Sequence, residues 1–548
     1  MSGYEAPGGY TPGTTPDFPT AYEPIITERF GTRGWTAASD DAAPGAHIRG
    51  GLLPMIIDRK IGLTPKRLLG GVIVRQAGTI EVDNTSGRLD ALRDSRIWEG
   101  RPCRLKIASR RAGTRPRTQK MALMWSGLID KALFGTGKVQ FWTKDLLSAM
   151  DRPISQGAYT GNGGIGGFAT LTGKSRPIGL GYIFNARTEL IDQDNRIHQI
   201  SFRLVREIVS VRDMGARLTF ERDVDTYEAL VALEVPLGGY GTCRRLGLIK
   251  TGDYPNGDLT CDFYGDGEDP AAASGVWDDT KLPWDDDFYW DDRYQTVFVS
   301  TAAGLIKRLL EFAGLTETYW NKPLFAAVDR SWPYPMALHV EAGAGEGTIL
   351  EYANEICEAA GMILVVDRDN LISLRRLDMP TGGIRIGPEH IESLEAIDPP
   401  FETPISSFTV PYGRNAYVQA ASDLVRPDDE FYSEAALAPY QRPYEGVGEY
   451  ISQSTQRLVK HARAVQLPNA YYTTHEGAFA RAKDGVFLHK AGRIAFQVKS
   501  RRRGWRLDLG RSIVLEYPRL GLEAGRPMLV TGLQDNTNER QIVMDVMG

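Results

Sequence analysis

The sequence predicts a multidomain, mainly β chain in which small α+β modules lie between β-rich ends. Three observations lead there. The 548 residues, 42% hydrophobic and 24% charged, are ordinary globular material in a chain long enough for roughly three or four cores. Towards both ends, short alternating runs are bounded by turn residues, the period-two pattern of half-buried strands. Helical spacing is confined to a few segments in the second half of the chain.

In chain order, residues 1–20 are Gly, Pro, Thr and Tyr with almost no aliphatics, so they bury no core and read as a flexible arm, either free or docked on a neighbouring subunit. From Tyr22 to about Met150 the signals are strands and turns. Thr79–Asp83 alternates, Asn84-Thr85-Ser86-Gly87 supplies turn chemistry, and Pro102–Ile107 alternates again. Ser109–Lys120 reads as a long hairpin tip from which Met121–Ile129 returns. The glycines of 156–167 cost too much entropy to hold regular structure, so a mobile loop is expected. A phosphate-cradling reading fails there: no strand leads in, no helix pattern follows, and Gly173-Lys174-Ser175 lacks the upstream glycine of a P-loop.

Two segments carry strong helical signals. Ser300 or Thr301 caps a run with Leu305, Leu309, Phe312 and Ala313 on one face and Gly314 as its stop. Thr348 opens a second, with Ile349, Tyr352, Ala353, Ile356 and Ala360 on one face and Gly361 as its stop. Met362–Val366 and Leu371–Leu374, joined by Asp367-Arg368-Asp369-Asn370, read as a hairpin packed on that helix. After about Pro400 strands dominate again (492–499, 505–507, 512–517, 528–531 and 541–546), with a helix expected over His475–Lys483. No repeat of 20 to 50 residues is evident, which disfavours a solenoid or propeller.

Charge and composition exclude several classes. A net charge of −5 lacks the global basic footprint of a nucleic-acid coat protein. The four cysteines, Cys103, Cys243, Cys261 and Cys357, are scattered without a C-x-x-C pair, the pattern of buried free thiols in a chain folded in a reducing cytoplasm. Met1 to Pro7 lacks the order of a signal peptide, and no apolar run approaches the ~20 residues that span a bilayer, so no stable membrane insertion is expected. The seven histidines are isolated, without H-x-H, H-E-x-x-H or zinc-like Cys/His spacing. No G-x-S-x-G elbow appears, and Cys357 lies on an amphipathic helix rather than in a polar, exposed setting. No catalytic, cofactor-binding or metal-binding residue is assigned, and the chain reads as a non-enzyme.

Two kinds of segment stand out as candidate interface. Residues 276–294 interleave Trp277, Trp284, Tyr289 and Trp290 with carboxylates. Aromatics bury much area at low entropic cost and carboxylates steer a basic partner, which favours a contact surface. A self-packed or solvated loop is the plain alternative, and a cation site the third, although the spacing lacks the Gly and terminal Glu of an EF-hand. Two basic clusters balance the acidic one: Arg110, Arg111, Arg115 and Arg117 within 101–120, and Arg501, Arg502 and Arg503 before Trp505. Each is a solvated hairpin tip or a contact with an acidic subunit surface or with DNA; subunit contact is preferred because no other nucleic-acid module is recognisable.

The order of several turn and strand pieces resembles the tail-hub proteins of siphophages, prophages and gene-transfer-agent-like particles. The N-terminal pieces are Glu28–Arg33, Gly78–Asp83 with Asn84 and Gly87–Asp90, and Trp98–Pro102; the middle ones are Leu171–Gly181 with Asn185 and Gly239–Cys243. The C-terminal pieces are Val410–Asn415, Leu509–Ile513, Tyr517–Leu522, Gly525-Arg526 and Val546-Met547-Gly548. The resemblance implies two tail-tube-like β-barrel domains flanking smaller mixed domains: an arm (1–20), a barrel (21–215), a small β-rich domain (216–298), a helix-plus-hairpin domain (299–399) and a second barrel (400–548). It further implies a homotrimer at the distal end of the tail, assembled in the host cytoplasm. Its expected partners are the distal tail protein ring, the C-terminus of the tape measure protein and the tail tip or central fibre proteins, with phage DNA only in transit. A distal tail ring protein is the alternative within the class, and a cell-surface glycan hydrolase the alternative outside it. Lysozyme, peptidase and fibre-like extensions of larger relatives are not recognisable.

Overall fold

The computed structural model describes residues 29–31, 35–36, 47–50, 58–62, 69–73, 79–107, 122–155, 157–266, 300–344, 347–367, 371–398, 404–426, 432–501, 507–536 and 541–548. The fold is mainly β and multidomain, with seven sheets among these residues. The chain divides into two compact units, one drawn from 1–55, 79–124 and 129–142, the other from 56–78, 125–128 and 143–548.

In the first unit, Thr79–Asp83, Lys138–Lys144, Ala122–Phe134 and Pro102–Ile107 form a sheet in that order. Val139 and Phe141 alternate inward against Val82 and Ile129, and Leu89, Leu92 and Trp98 close this core. The Trp98 ring lies 4.9 Å from Phe141 and its Nε1 donates to the Leu92 carbonyl at 3.1 Å. Asn84 locks the turn after the first strand: its Oδ1 accepts from Leu89 N at 3.0 Å and its Nδ2 donates to Asp90 at 2.7 Å. Short strands Arg29–Gly31, His47–Gly50 and Trp35–Thr36 make a second sheet.

The second unit begins with two five-stranded sheets. Ala216–Arg217, Val205–Asp213, Leu259–Gly265, Ile178–Arg187 and Leu338–Val340 form one; Glu189–Asp192, Ile197–Gln199, Leu248–Thr251, Gly239–Cys243 and Thr219–Asp223 form the other. They share a core in which Ile183, Val211, Cys261 and Phe263 meet Tyr240 and Ile249. The second sheet also buries its other face, where Ile197, Cys243 and Leu248 pack with Tyr159, Leu171 and Leu230. Ile165 of the glycine-rich loop packs against this core. Gly161 N donates to Gly166 O at 2.9 Å and Gly163 N to Gly167 O at 2.8 Å, reversals that the positive φ of Gly161, Gly163 and Gly167 allows. Tyr159 is buried beneath them.

Four helices of ten residues or more occur among the described residues: α1 (Ala302–Phe312), α2 (Lys322–Ser331), α3 (Ile349–Ala360) and α4 (His475–Leu488). Thr301 caps α1, its Oγ1 accepting from Gly304 N at 3.2 Å, and Gly314 follows at φ 73°. Thr348 and Glu351 form a capping box on α3, and Gly361 ends it at φ 68°. Helix α2 is absent from the sequence reading because only Phe325 and Val328 are buried in it, too few apolar positions to make a period. Helix α4 runs past the expected Lys483 because its buried side is Gly, Ala, Val, Leu and one Arg, small residues that leave no amphipathic stripe.

The expected hairpin is present: Met362–Val366 pairs antiparallel with Ile372–Arg376, Leu364 opposite Leu374. A third strand, Gly71–Ile73, adds in parallel to its other side. This sheet is a layer between two cores. Met362, Leu364 and Val366 face the helices, while Ile363 and Val365 face the C-terminal sheet, so the run is apolar throughout instead of alternating.

The C-terminal sheet runs Ile384–Ile386, Ser512–Leu515, Arg526–Asn536, Gln541–Met547, Ala495–Arg501 and Ile391–Ile397. Arg526–Asn536 is long enough to pair with Ser512–Leu515 over its first half and, beyond a bulge between Val530 and Gly532, with Asp58–Gly62 over its second. A last, three-stranded sheet, Tyr444–Ile451, Ile405–Arg414 and Arg463–Gln466, carries α4 on one face. Gly485 is required there, since a Cβ would lie 2.7 Å from the Phe408 ring.

Candidate functional site

The residues singled out from sequence as interface, Trp277, Trp284, Tyr289, Trp290, Arg110, Arg111, Arg115, Arg117, Arg502 and Arg503, lie outside the described residues. Arg501 ends strand Ala495–Arg501, and its side chain also lies outside them. The described residues instead build two other features: a buried polar node and an acidic cleft.

The node starts from a backbone constraint. Strand Ile178–Arg187 bulges between Ile183 and Ala186, and Asn185 takes up the irregularity at φ 53°, a conformation asparagine tolerates better than other side-chain-bearing residues. Its amide N donates to Asp262 Oδ1 at 2.8 Å; its Nδ2 donates to Asn415 Oδ1 at 3.1 Å and to the Tyr417 carbonyl at 2.7 Å. Asn415 in turn donates to the carbonyls of Tyr440 and Arg442, both at 2.9 Å. Asp262 is ion-paired with Arg212, whose Nη1 lies 2.6 Å from Oδ2. The Arg212 guanidinium sits 4.8 Å from the Tyr440 ring centroid and 5.6 Å from that of Phe184, and those two rings stack 5.7 Å apart. Burial is the largest single influence and works against the charge on Arg212, but the hydrogen bond and the charge of Asp262, with smaller contributions from neighbours, together outweigh it and raise the pKa.

This node ties the paired five-stranded sheets to segment 405–442. Asn185 and Asn415 were both legible as pieces of the resemblance. Arg212, Asp262 and Tyr440 were not: Arg212 and Asp262 meet across 50 positions and Asn415 and Tyr440 across 25, separations that no local spacing signals. Gly181, another of those pieces, holds φ 79°, and a Cβ on it would lie 2.7 Å from the Met336 carbonyl. These residues shape and join modules.

The cleft, about 430 Å³, lies along α3. Glu351, Glu355 and Glu358 fall on one helix face at i, i+4 and i+7, and Leu467, Asn469 and Tyr471 form the opposite wall. Glu355 accepts from Asn469 Nδ2 at 2.9 Å and from Tyr471 OH. Burial, and then this hydrogen bond, push the Tyr471 phenol well above its usual range, so it stays a neutral donor. Asn354 Oδ1 accepts from Val72 N at 3.1 Å, closing one end.

The four cysteines and two of the histidines are held neutral by burial. Burial pushes the Cys243 and Cys103 thiols up to about 11, and Cys261 and Cys357 further in the same direction, so thiolates are scarce at neutral pH. Burial lowers His198 to about 4, and burial with the nearby Arg414 lowers His339 to about 3. Among the described residues no group of three His, Cys, Asp or Glu is placed to hold a metal ion, and no helix is long and apolar enough to cross a membrane.

No protein-family model and no curated protein matches the chain. Solved structures do. A chain of the virion of a native gene transfer agent particle is 12% identical with a TM-score of 0.38, over 69% of this chain and 84% of that one. The 43 kDa tail protein of prophage MuSo2 from Shewanella oneidensis is 10% identical with a TM-score of 0.30, over 92% and 96%. A tail protein from Neisseria meningitidis MC58 is 10% identical with a TM-score of 0.26, over 53% and 74%. At such values neither activity nor assembly passes from those proteins to this chain.

Proposed function

We propose that the chain is a non-enzymatic structural protein of a phage-type tail, a hub at the distal end of the tail tube. Three copies form a ring that joins the six-fold tube and distal tail ring above to a three-fold tip below, touch the C-terminus of the tape measure protein and the central fibre proteins, and gate DNA exit during genome ejection. In this reading the two β-rich ends of the chain supply tube-like domains, and host attachment belongs to the tip proteins it carries.

The observation that carries the reading is the meeting of Asn185 and Asn415, 230 positions apart, in one buried node. Both belong to the sequence pieces that resemble tail hubs, and here they join modules. A ring subunit needs such rigid joints between modules, with closed symmetry to stop its contacts from propagating into fibres.

Native mass spectrometry of the purified full chain, with and without the distal ring protein, tests this. The expected species is three times the 60.6 kDa chain. Six copies would transfer the reading to the distal ring protein itself. A monomer that cleaves cell-wall glycan, with activity lost on substituting one carboxylate, would replace it with the hydrolase reading.

A further inference from the structure

The sequence contains two Asn-Gly pairs, Asn162-Gly163 and Asn256-Gly257, and the fold treats them in opposite ways. Asparagine is a chemically labile residue, most of all before glycine. With no Cβ on the second residue, its main-chain nitrogen reaches the asparagine side-chain carbonyl carbon without hindrance.

Asn256 is pinned. Asp213 Oδ2 accepts from the Asn256 main-chain N at 2.7 Å and from its Nδ2 at 3.1 Å, and Asp213 Oδ1 accepts from Gly257 N at 3.0 Å. The attacking nitrogen and the amide it would attack are thus held on one carboxylate. Crowding adds to this restraint, since a Cβ on Gly257 would lie 2.6 Å from Met214 Cγ.

Asn162 is exposed, and its side chain makes no hydrogen bond among the described residues. Gly163 sits at φ 88° with nothing within 4 Å of the place a Cβ would occupy. Its nitrogen is restrained by one bond, to Gly167 O at 2.8 Å. Local opening of a loop costs the bonds that must break together, and one bond has to open here against three on Asp213.

We propose that Asn162 is a modification site, converted without an enzyme to aspartate and isoaspartate in the folded chain, while Asp213 keeps Asn256 intact. The Gly163 main-chain nitrogen gives up its proton to solvent and attacks Asn162 Cγ. The N–Cγ bond forms, the Cγ–Nδ2 bond breaks, and the side-chain nitrogen takes a proton from solvent and leaves as ammonia, closing a cyclic imide. Water then adds to one of the two imide carbonyls and breaks its bond to nitrogen. Opening at Cγ gives aspartate; opening at the main-chain carbonyl gives isoaspartate, whose main chain is longer by a methylene. Nothing is oxidised or reduced: water is consumed and ammonia released. Residues 156–172 contain no charged side chain, so the product places the first charge on this loop, above the core that buries Tyr159 and Leu171. The inference is independent of the tail reading.

Peptide mapping by mass spectrometry of the full chain, incubated at mildly alkaline pH, tests it. Conversion is read as the mass gained when an amide becomes a carboxylate. In native buffer Asn162 is expected to convert about tenfold or more faster than Asn256, and in guanidinium-unfolded chain the two rates are expected to converge. Asp213→Ala is expected to raise the rate at Asn256 and leave that at Asn162 unchanged. Unfolding would raise both, so the second site reports whether the variant has kept its fold; if it has not, the native rates of the wild-type chain decide. Asn162→Gln is expected to abolish the faster conversion. Equal native rates, faster conversion at Asn256, or an Asn162 that stays intact in native buffer while the unfolded chain converts, overturns the proposal. A folded Asp213→Ala chain that converts at Asn256 no faster than wild type overturns the protective role of Asp213.

Discussion

Asp262 compensates a guanidinium that is almost wholly out of water, since Arg212 is only 1% exposed. Removing the carboxylate leaves an unpaired buried cation, a loss of about 3–5 kcal/mol. Asp262→Ala is therefore expected to lower the denaturation midpoint sharply, whereas Arg212→Met with Asp262→Leu recovers much of that loss; chemical unfolding of the three chains checks this. His198 and His339 set an acid limit on the same sheets. Both are neutral in the folded chain because their pKa values are depressed from 6.5, to about 4 and about 3. The unfolded chain takes up these protons first as pH falls, so their contribution is complete above about pH 6.5 and is lost as pH drops from there towards 4, at about 1.4 kcal/mol per unit of depression. Unfolding midpoints measured between pH 7 and 4 should fall in that window, and His198→Gln/His339→Gln should flatten the fall.

At the scale of the element, the ends of α3 are the clearest case of local chemistry setting structure. Thr348→Ala removes an N-cap and is expected to cost about 1 kcal/mol. Gly361→Ala places a Cβ 2.8 Å from the Arg481 guanidinium carbon at φ 68° and should cost more than the cap, as thermal melts of the two variants will show. The caps, the stops and the Met362–Val366 hairpin were legible because their signals are short-range: a hydroxyl before an apolar-periodic run, a glycine after an apolar stripe, a turn between two apolar runs. Pairings such as Gly71–Ile73 with Met362–Val366, or Asp58–Gly62 with Arg526–Asn536, were not legible, because a strand carries no mark of which distant edge it joins. The same holds for the candidate site. Asn185 and Asn415 could be noted one at a time, but their bond, and the arrival of Arg212 and Tyr440 beside it, exist only in three dimensions. The acidic face of α3 was implicit in the helix assignment, while the opposite wall formed by Leu467, Asn469 and Tyr471 came from further along the chain, Asn469 lying 114 positions beyond Glu355.

For the whole molecule, the described residues form modules joined by buried polar contacts, which the proposed role in an assembly requires. Deleting the joint should matter more to assembly than to the modules themselves. Asn415→Ala is expected to leave the paired five-stranded sheets folded, with segment 405–442 losing hydrogen-exchange protection as the modules uncouple. The most direct test of the account is the rotational symmetry of this chain in tail particles, read from an electron cryomicroscopy reconstruction computed without imposed symmetry. Three copies capping a six-fold tube are the result predicted here; six copies, or a particle from which the chain is absent, would contradict it.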